Sequence, residues 1–144
     1  MALKLETEDS VLIATINRPA RKNAVDQETL AELATALKQA EAQSARVIVL
    51  TGAENTFCSG ADLSGVREVE FTDALHKVLI QLATSPCVTI AAIDGYALGA
   101  GAQLAISCDL RVATARAVVG VPAARLGLVV NHWTVERLTR ECSW

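Results

Sequence analysis

Residues 88–113 read VTIAAIDGYALGAGAQLAISCDLRVA, and this stretch decides the fold. Val88 to Ile93 is an apolar run too short for an amphipathic helix, so it reads as a buried strand. The Asp94-Gly95 turn ends it. Gly99-Ala100-Gly101 then leads into a helix over Ala102 to Ser107, and Leu110 to Ala113 reads as a further short strand. A strand that reaches the next one only through a glycine loop and a helix cannot pair with it as a hairpin, which points to an α/β layout.

The same pattern repeats upstream. Arg46 to Thr51 is a buried strand ending at Gly52, followed by a long loop through FCSGADLSG. Phe71, Leu75, Val78, Leu79 and Leu82 mark a helix closed by Ser85-Pro86. Nearer the start, Leu3 to Glu6 alternates and Val11 to Ile16 is apolar, which predicts a hairpin turned at Glu8-Asp9-Ser10. A polar loop, Asn17 to Asn23, separates it from a helix capped by Asp26, with Leu30, Leu33, Ala34 and Leu37 on one face. Downstream come a short strand, Val118 to Gly120, and a final helix over Trp133 to Glu141. The expected order is β-β-α-β-α-β-α-β-β-α.

Composition narrows the function. Of 144 residues, 51% are hydrophobic and only 3% aromatic, so the core is built from Ala, Val, Leu and Ile rather than rings. That apolar content excludes a disordered chain. The formal charge of −3 supplies no electrostatic footprint for nucleic acid or an anionic membrane. The longest apolar stretch, Cys87 to Ile106, contains Asp94 and Gln103 and is broken by three glycines, so no membrane span is expected. The opening MALKLETEDS lacks an apolar signal core, and a cytoplasmic location is expected. Cys58, Cys87, Cys108 and Cys142 are far apart with no CxxC, which reads as reduced thiols without a metal or disulfide framework.

Chemistry concentrates in two segments, Cys58 to Leu63 and Gly95 to Gly101. Each follows a buried strand and opens toward a helix, where backbone N–H groups are left without partners. Two such groups aimed at one point would polarise a carbonyl. The bland alternative is that the glycines only make turns and tight packing. A dinucleotide fingerprint fails because the glycines fall as GxxxGxG, and no Gly-Lys-Ser/Thr follows for a phosphate loop.

FCSGADL, IAAIDGYALGAGAQLAISCDLRVAT and VGVPAARLGL, in that order and spacing, resemble the signature of the crotonase, or enoyl-CoA hydratase/isomerase, superfamily. NRPARKNAV resembles its opening loop. The resemblance extends over essentially the whole chain. It implies a crotonase-like ββα spiral core that binds an acyl-CoA, with coenzyme A as part of the ligand and no covalently bound cofactor. The implied oxyanion-hole donors are the N–H groups of Ala61 and Ala100. Ala24, Ser59, Ala61 and Leu63 match positions lining the adenine and pantetheine site, and Arg21 and Lys22 are candidates for the phosphates. The Asn131 N–H matches one that contacts the catalytic water. His132 and Trp133 replace part of a glycine-rich run, where they would project into or brace the acyl end of the pocket.

The departures are as informative as the matches. Hydratases of the family use two glutamates; the resemblance sets Gln103 and Ala123 at those positions. Gln103 can hydrogen-bond a water but cannot take its proton, and Ala123 can do neither. General acid and base catalysis contribute roughly 10²- to 10⁴-fold each, so losing both removes several orders of magnitude in rate. Most closely, the chain resembles the non-catalytic acyl-CoA-binding homologues of mycobacterial type. The expected function is therefore binding of fatty acyl-CoA or a related acyl thioester, as a carrier, sensor or partner of lipid-synthesis enzymes in fatty-acid or cell-envelope lipid metabolism. The alternatives are an active enzyme (hydration, isomerisation, thioester hydrolysis or decarboxylation) with a substitute base such as His132, Cys58 or Glu136, and a degraded hydratase without lipid function.

Family members continue into C-terminal helices that cover the pocket and build a homotrimer or a hexamer of two trimers. The resemblance thus implies a spiral core over residues 1–130, with 131–144 opening a helical region cut short before trimerisation. Exposed apolar surface is the expected consequence.

Overall fold

The computed structural model describes residues 1–62, 64 and 68–142. Its strands and helices are β1 (Leu3–Glu8), β2 (Val11–Ile16), α1 (Gln27–Ala42), β3 (Val47–Gly52), α2 (Glu68–Thr84), β4 (Val88–Ile93), β5 (Tyr96–Leu98), α3 (Ala100–Ser107), β6 (Leu110–Ala113), β7 (Val118–Gly120) and α4 (His132–Cys142). Short 3₁₀ turns cover Pro19–Arg21 and Ala123–Leu126.

The larger sheet runs β1-β2-β3-β4-β6. The expected hairpin is there: β1 and β2 pair antiparallel, Leu3 opposite Ile16 and Glu8 opposite Val11. Every later pairing in this sheet is parallel, each strand laid beside its predecessor in chain order after a helical crossover. The chain thereby winds in one direction as a spiral. Buried side chains alternate along β2 (Leu12, Ala14, Ile16) and β3 (Ile48, Leu50), as a period of two requires.

α1 starts where the sequence places it, with the Asp26 carboxylate accepting from the Thr29 N–H at 2.9 Å. Leu30, Leu33 and Leu37 are buried together with Ala36 and Ala40; Ala34 is only partly buried at the edge of the core. From α2 come Phe71, Leu75, Val78, Leu79 and Leu82, the five positions its periodicity marks.

The ends of β3 and α4 differ by one residue from the sequence reading, and two larger differences fall at the second glycine segment. Tyr96–Leu98, read as part of a glycine loop, is a strand pairing in parallel with β7, Tyr96 opposite Val118. Its three residues lie between Gly95 and Gly99, too short a run for alternation to show. In addition, α3 begins at Ala100 rather than Ala102, because Gly99 at φ 53° turns the chain straight from β5 into the helix.

This small second sheet is extended by isolated bridges between Cys58 and Ala97 and between Val25 and Ala61. Each turn of the spiral thus gives one long strand to the large sheet and a short extended piece to the second layer. The exposed large apolar residues gather in the later part of the chain, among them Leu110, Val112, Val118, Val119, Leu126 and Val129. No helix among the described residues is long and apolar enough to cross a membrane.

Candidate functional site

The second layer brings the two glycine segments side by side. Cys58 N donates to Tyr96 O and Leu98 N to Cys58 O, both at 2.9 Å; on the opposite edge Val25 N donates to Gly60 O at 2.9 Å and Asp62 N to Val25 O at 2.8 Å. The Ala61 N–H, between these bonds, meets no acceptor among the described residues. A helix's first N–H groups have no intrahelical partner, and the first such bond in α3 is Gln103 N to Gly99 O at 3.0 Å. The Ala100 N–H is therefore also free among the described residues.

Ala61 and Ala100 line one cavity of about 540 Å³. Gln103 and Ala123 line the same cavity. Phe71, Leu75 and Leu79 of α2 line it as well, so the same space is bordered by the Ala61 and Ala100 backbones and by apolar side chains. A polarised carbonyl and an alkyl chain can be accommodated together in such a space.

Gln103 is held by a chain of side-chain hydrogen bonds. Its Nε2 donates to Thr134 Oγ1 at 2.7 Å, and the Thr134 hydroxyl donates to Asn131 Oδ1 at 2.8 Å. Asn131 Oδ1 also accepts the Thr134 N–H at 2.9 Å, the capping geometry of a helix N-terminus. Asn131 Nδ2 in turn lies 3.4 Å from His76 Nδ1. His76 is on the cavity wall, and Trp133 stacks edge-on against it with ring centroids 6.0 Å apart.

At the other side of the second layer, Arg18 Nη2 lies 2.6 Å from Asp26 and 3.1 Å from Asp62, while its Nη1 donates to the Ala24 carbonyl. Burial works against the Asp26 carboxylate, but the bonds from Thr29 and the charge of Arg18 outweigh it and hold its pKa below the ordinary value. Two hydrogen bonds from Ser64, with help from Arg18 and Arg21, do the same for Asp62. Both aspartates are thus fixed anions that cap and pair.

The site residues singled out by the sequence distribute as follows. Ser59, Ala61, Ala100, Gln103, Ala123 and Asn131 are brought together on the cavity. Arg21 and Lys22 are exposed, Arg21 lying 3.7 Å from Asp62, and Ala24 is half-buried beside them; none of the three lines the cavity. Leu63 lies outside the described residues. His132 is exposed at the first position of α4 and is not on the cavity wall. Trp133 stands behind the wall, packed on the core and on His76. Cys58 is fully buried, and desolvation pushes its thiol up to about 11. Glu136 is exposed, 3.4 Å from Arg140.

Thr134 is a residue that the sequence reading missed, and His76, which with no motif around it reads as a surface residue of the second helix, is instead half-buried on the cavity lining. A signal for His76 existed: Glu68, Thr72, Leu75, His76 and Leu79 recur at helical spacing, and all of them face the cavity.

A spiral α/β core with free backbone amides beside an apolar pocket defines a class of protein that the comparisons specify further. The family model of enoyl-CoA hydratase/isomerase matches residues 6–143, and the chain belongs to that family. It is 40% identical over 132 residues to the probable enoyl-CoA hydratase echA6 of Mycobacterium tuberculosis, a match that takes in 91% of this chain and 54% of that protein. The short-chain-enoyl-CoA hydratase of Clostridium acetobutylicum is 36% identical over 144 aligned residues, 94% of this chain and 55% of that one. Among solved structures, an enoyl-CoA hydratase from Bacillus anthracis superposes with a TM-score of 0.91 at 29% identity, over 97% of this chain and 58% of that chain. The chain spans about half the length of the relatives it matches.

Proposed function

We propose that this protein binds fatty acyl-CoA, or a related acyl thioester, without hydrating it. The ligand carbonyl would accept from the Ala61 and Ala100 N–H groups, with the acyl chain against Phe71, Leu75 and Leu79. The observation that carries this reading is one cavity lined by Ala61 and Ala100, whose N–H groups are free among the described residues, and by Gln103 and Ala123, neither of which can move a proton at neutral pH. Family membership supports an acyl thioester as the ligand class. Ser59, Leu63, Ala24, Arg21 and Lys22 are the proposed contacts for coenzyme A, and Trp133 is proposed to brace His76 at the acyl end. The setting we propose is fatty-acid or cell-envelope lipid metabolism in the cytoplasm, with lipid-synthesis enzymes as partners and a homotrimer or hexamer as the full-length assembly.

A hydrolytic or hydrating reading needs a base in the cavity, and the titratable side chains that line it among the described residues are His76 and Glu68, on α2 rather than at the Gln103 and Ala123 positions. Of the substitutes, Cys58 is buried with a raised pKa, Glu136 is exposed beside Arg140, and His132 is off the wall. Calorimetric titration with acyl-CoAs of increasing length, beside an assay of crotonyl-CoA hydration, tests the proposal. Saturable binding that strengthens with chain length, and no hydration, is the expected pair of results; hydration at an ordinary enzymatic rate would overturn it.

A further inference from the structure

β1 stands at the end of the larger sheet and pairs there only with β2. Asn17 N donates to Ala2 O at 2.8 Å, so by the alternation of an antiparallel ladder Lys4, Glu6 and Glu8 turn their backbone groups toward β2. Leu3, Leu5 and Thr7 turn theirs outward. Glu32 covers one of these groups, its Oε2 accepting the Leu3 N–H at 2.8 Å. The outward N–H groups of Leu5 and Thr7 meet no acceptor among the described residues. On one face of the strand the Leu5 side chain, 43% exposed, lies in a groove of about 490 Å³ with Ala31, Thr35 and Ala36 of α1. On the other face Lys4 Nζ stands 3.0 Å from Glu6 Oε1, both side chains exposed.

An open edge of this kind is a template for another strand, and here the charges choose the strand. Antiparallel pairing of the edge with its own copy must set outward residues opposite outward residues. Centred on Leu5, such a pairing places Leu3 opposite Thr7 and, on the other face, Lys4 opposite Glu6, each twice by two-fold symmetry. Moving the centre by one residue sets Lys4 against Lys4, or Glu6 against Glu6, and shortens the ladder. We propose that a second copy of this chain docks on β1, antiparallel and in register about Leu5, joining the two larger sheets into one. The Leu3 N–H then passes from Glu32 to the Thr7 carbonyl of the second copy, and the two Leu5 side chains meet beside the groove. The four charges alternate in sign across the seam, the arrangement that stabilises cross-strand pairs. None of these residues lines the cavity of Ala61 and Ala100, and the inference is independent of the acyl thioester reading.

Sedimentation velocity over a concentration series tests the pairing. The parent chain should self-associate. Lys4→Glu and Glu6→Lys each set like charges opposite one another twice, and each should weaken association about tenfold. Mixed in equal amounts, the two variants should associate with each other as tightly as the parent does with itself, because every charge again faces its opposite. Association through the exposed side chains of β6 and β7 would be indifferent to these changes. A parent that stays monomeric at every concentration, variants that associate as the parent does, or a mixture no tighter than its separate components would overturn the inference.

Discussion

The backbone of Gly101, in the first turn of α3, is pressed against Cys58: a Cβ on Gly101 would lie 2.3 Å from the Cys58 carbonyl oxygen and 2.8 Å from its Cβ. This contact sets the helix that offers the Ala100 amide beside the segment that offers the Ala61 amide. Because the obstructing atom is backbone, it cannot swing away. Gly101→Ala should therefore destabilise by about 3 kcal/mol, the upper end of overpacking costs, or prevent folding. Gly120→Ala, where the added atom meets only Leu98 Cδ2 at 3.9 Å, serves as the control and should fall within about 0.5 kcal/mol of the parent in urea denaturation.

Thiol chemistry should follow burial. Cys58, Cys87 and Cys108 are buried and Cys142 is exposed. Desolvation holds the Cys58 and Cys108 thiols at about 11 and about 12. Iodoacetamide near pH 8 should label Cys142 in the native protein and the other three only after denaturation. Native pKa values above those of the unfolded chain also set the sign of the pH dependence. The contribution of these thiols is complete below their unfolded pKa and is lost as pH rises toward 11 and 12, so alkaline unfolding should be eased in that window.

Acid behaviour has a separate origin. Arg116 holds Asp94 in two hydrogen bonds, 2.7 and 2.5 Å, and Thr114 adds a third at 2.8 Å. Arg116 first and Thr114 second pull the Asp94 pKa down to about 2. A depressed carboxylate stabilises above its unfolded pKa and loses that contribution as pH falls from about 4 to about 2. An NMR titration should find the Asp94 midpoint near 2, and Arg116→Leu should move it up toward the unfolded value.

Carboxylates placed at positions 103 and 123 test the proposed absence of hydration. Gln103→Glu with Ala123→Glu should give measurable hydration of crotonyl-CoA, whereas either single change should not, since one group must activate water and the other protonate carbon. Gln103→Glu alone has a second cost. The new carboxylate needs the Thr134 proton that Asn131 Oδ1 now receives, so α4 capping should weaken and the melting temperature should fall.

Much of this was legible in the residues. Alternation gave the hairpin of β1 and β2, uniform apolar runs gave β3 and β4, and Asp26 marked the start of α1, because each is a local pattern with one physical cause. β5 escaped because three residues between glycines carry no period. The cavity was legible only in part. Ser59, Ala61, Ala100, Gln103, Ala123 and Asn131 do converge on it, but His76 joins them only when Asn131, 55 positions later, arrives beside it. No local pattern encodes that meeting. His132 was singled out for its type, yet its place at the start of α4 leaves it exposed while its neighbour Trp133 packs inward.

Native mass spectrometry of the protein incubated with 2-decenoyl-CoA reads binding and the absence of hydration at once. The expected spectrum shows the protein carrying one ligand at its unhydrated mass per chain, and the same mass after prolonged incubation. A ligand heavier by one water molecule, or no complex at all, would contradict it.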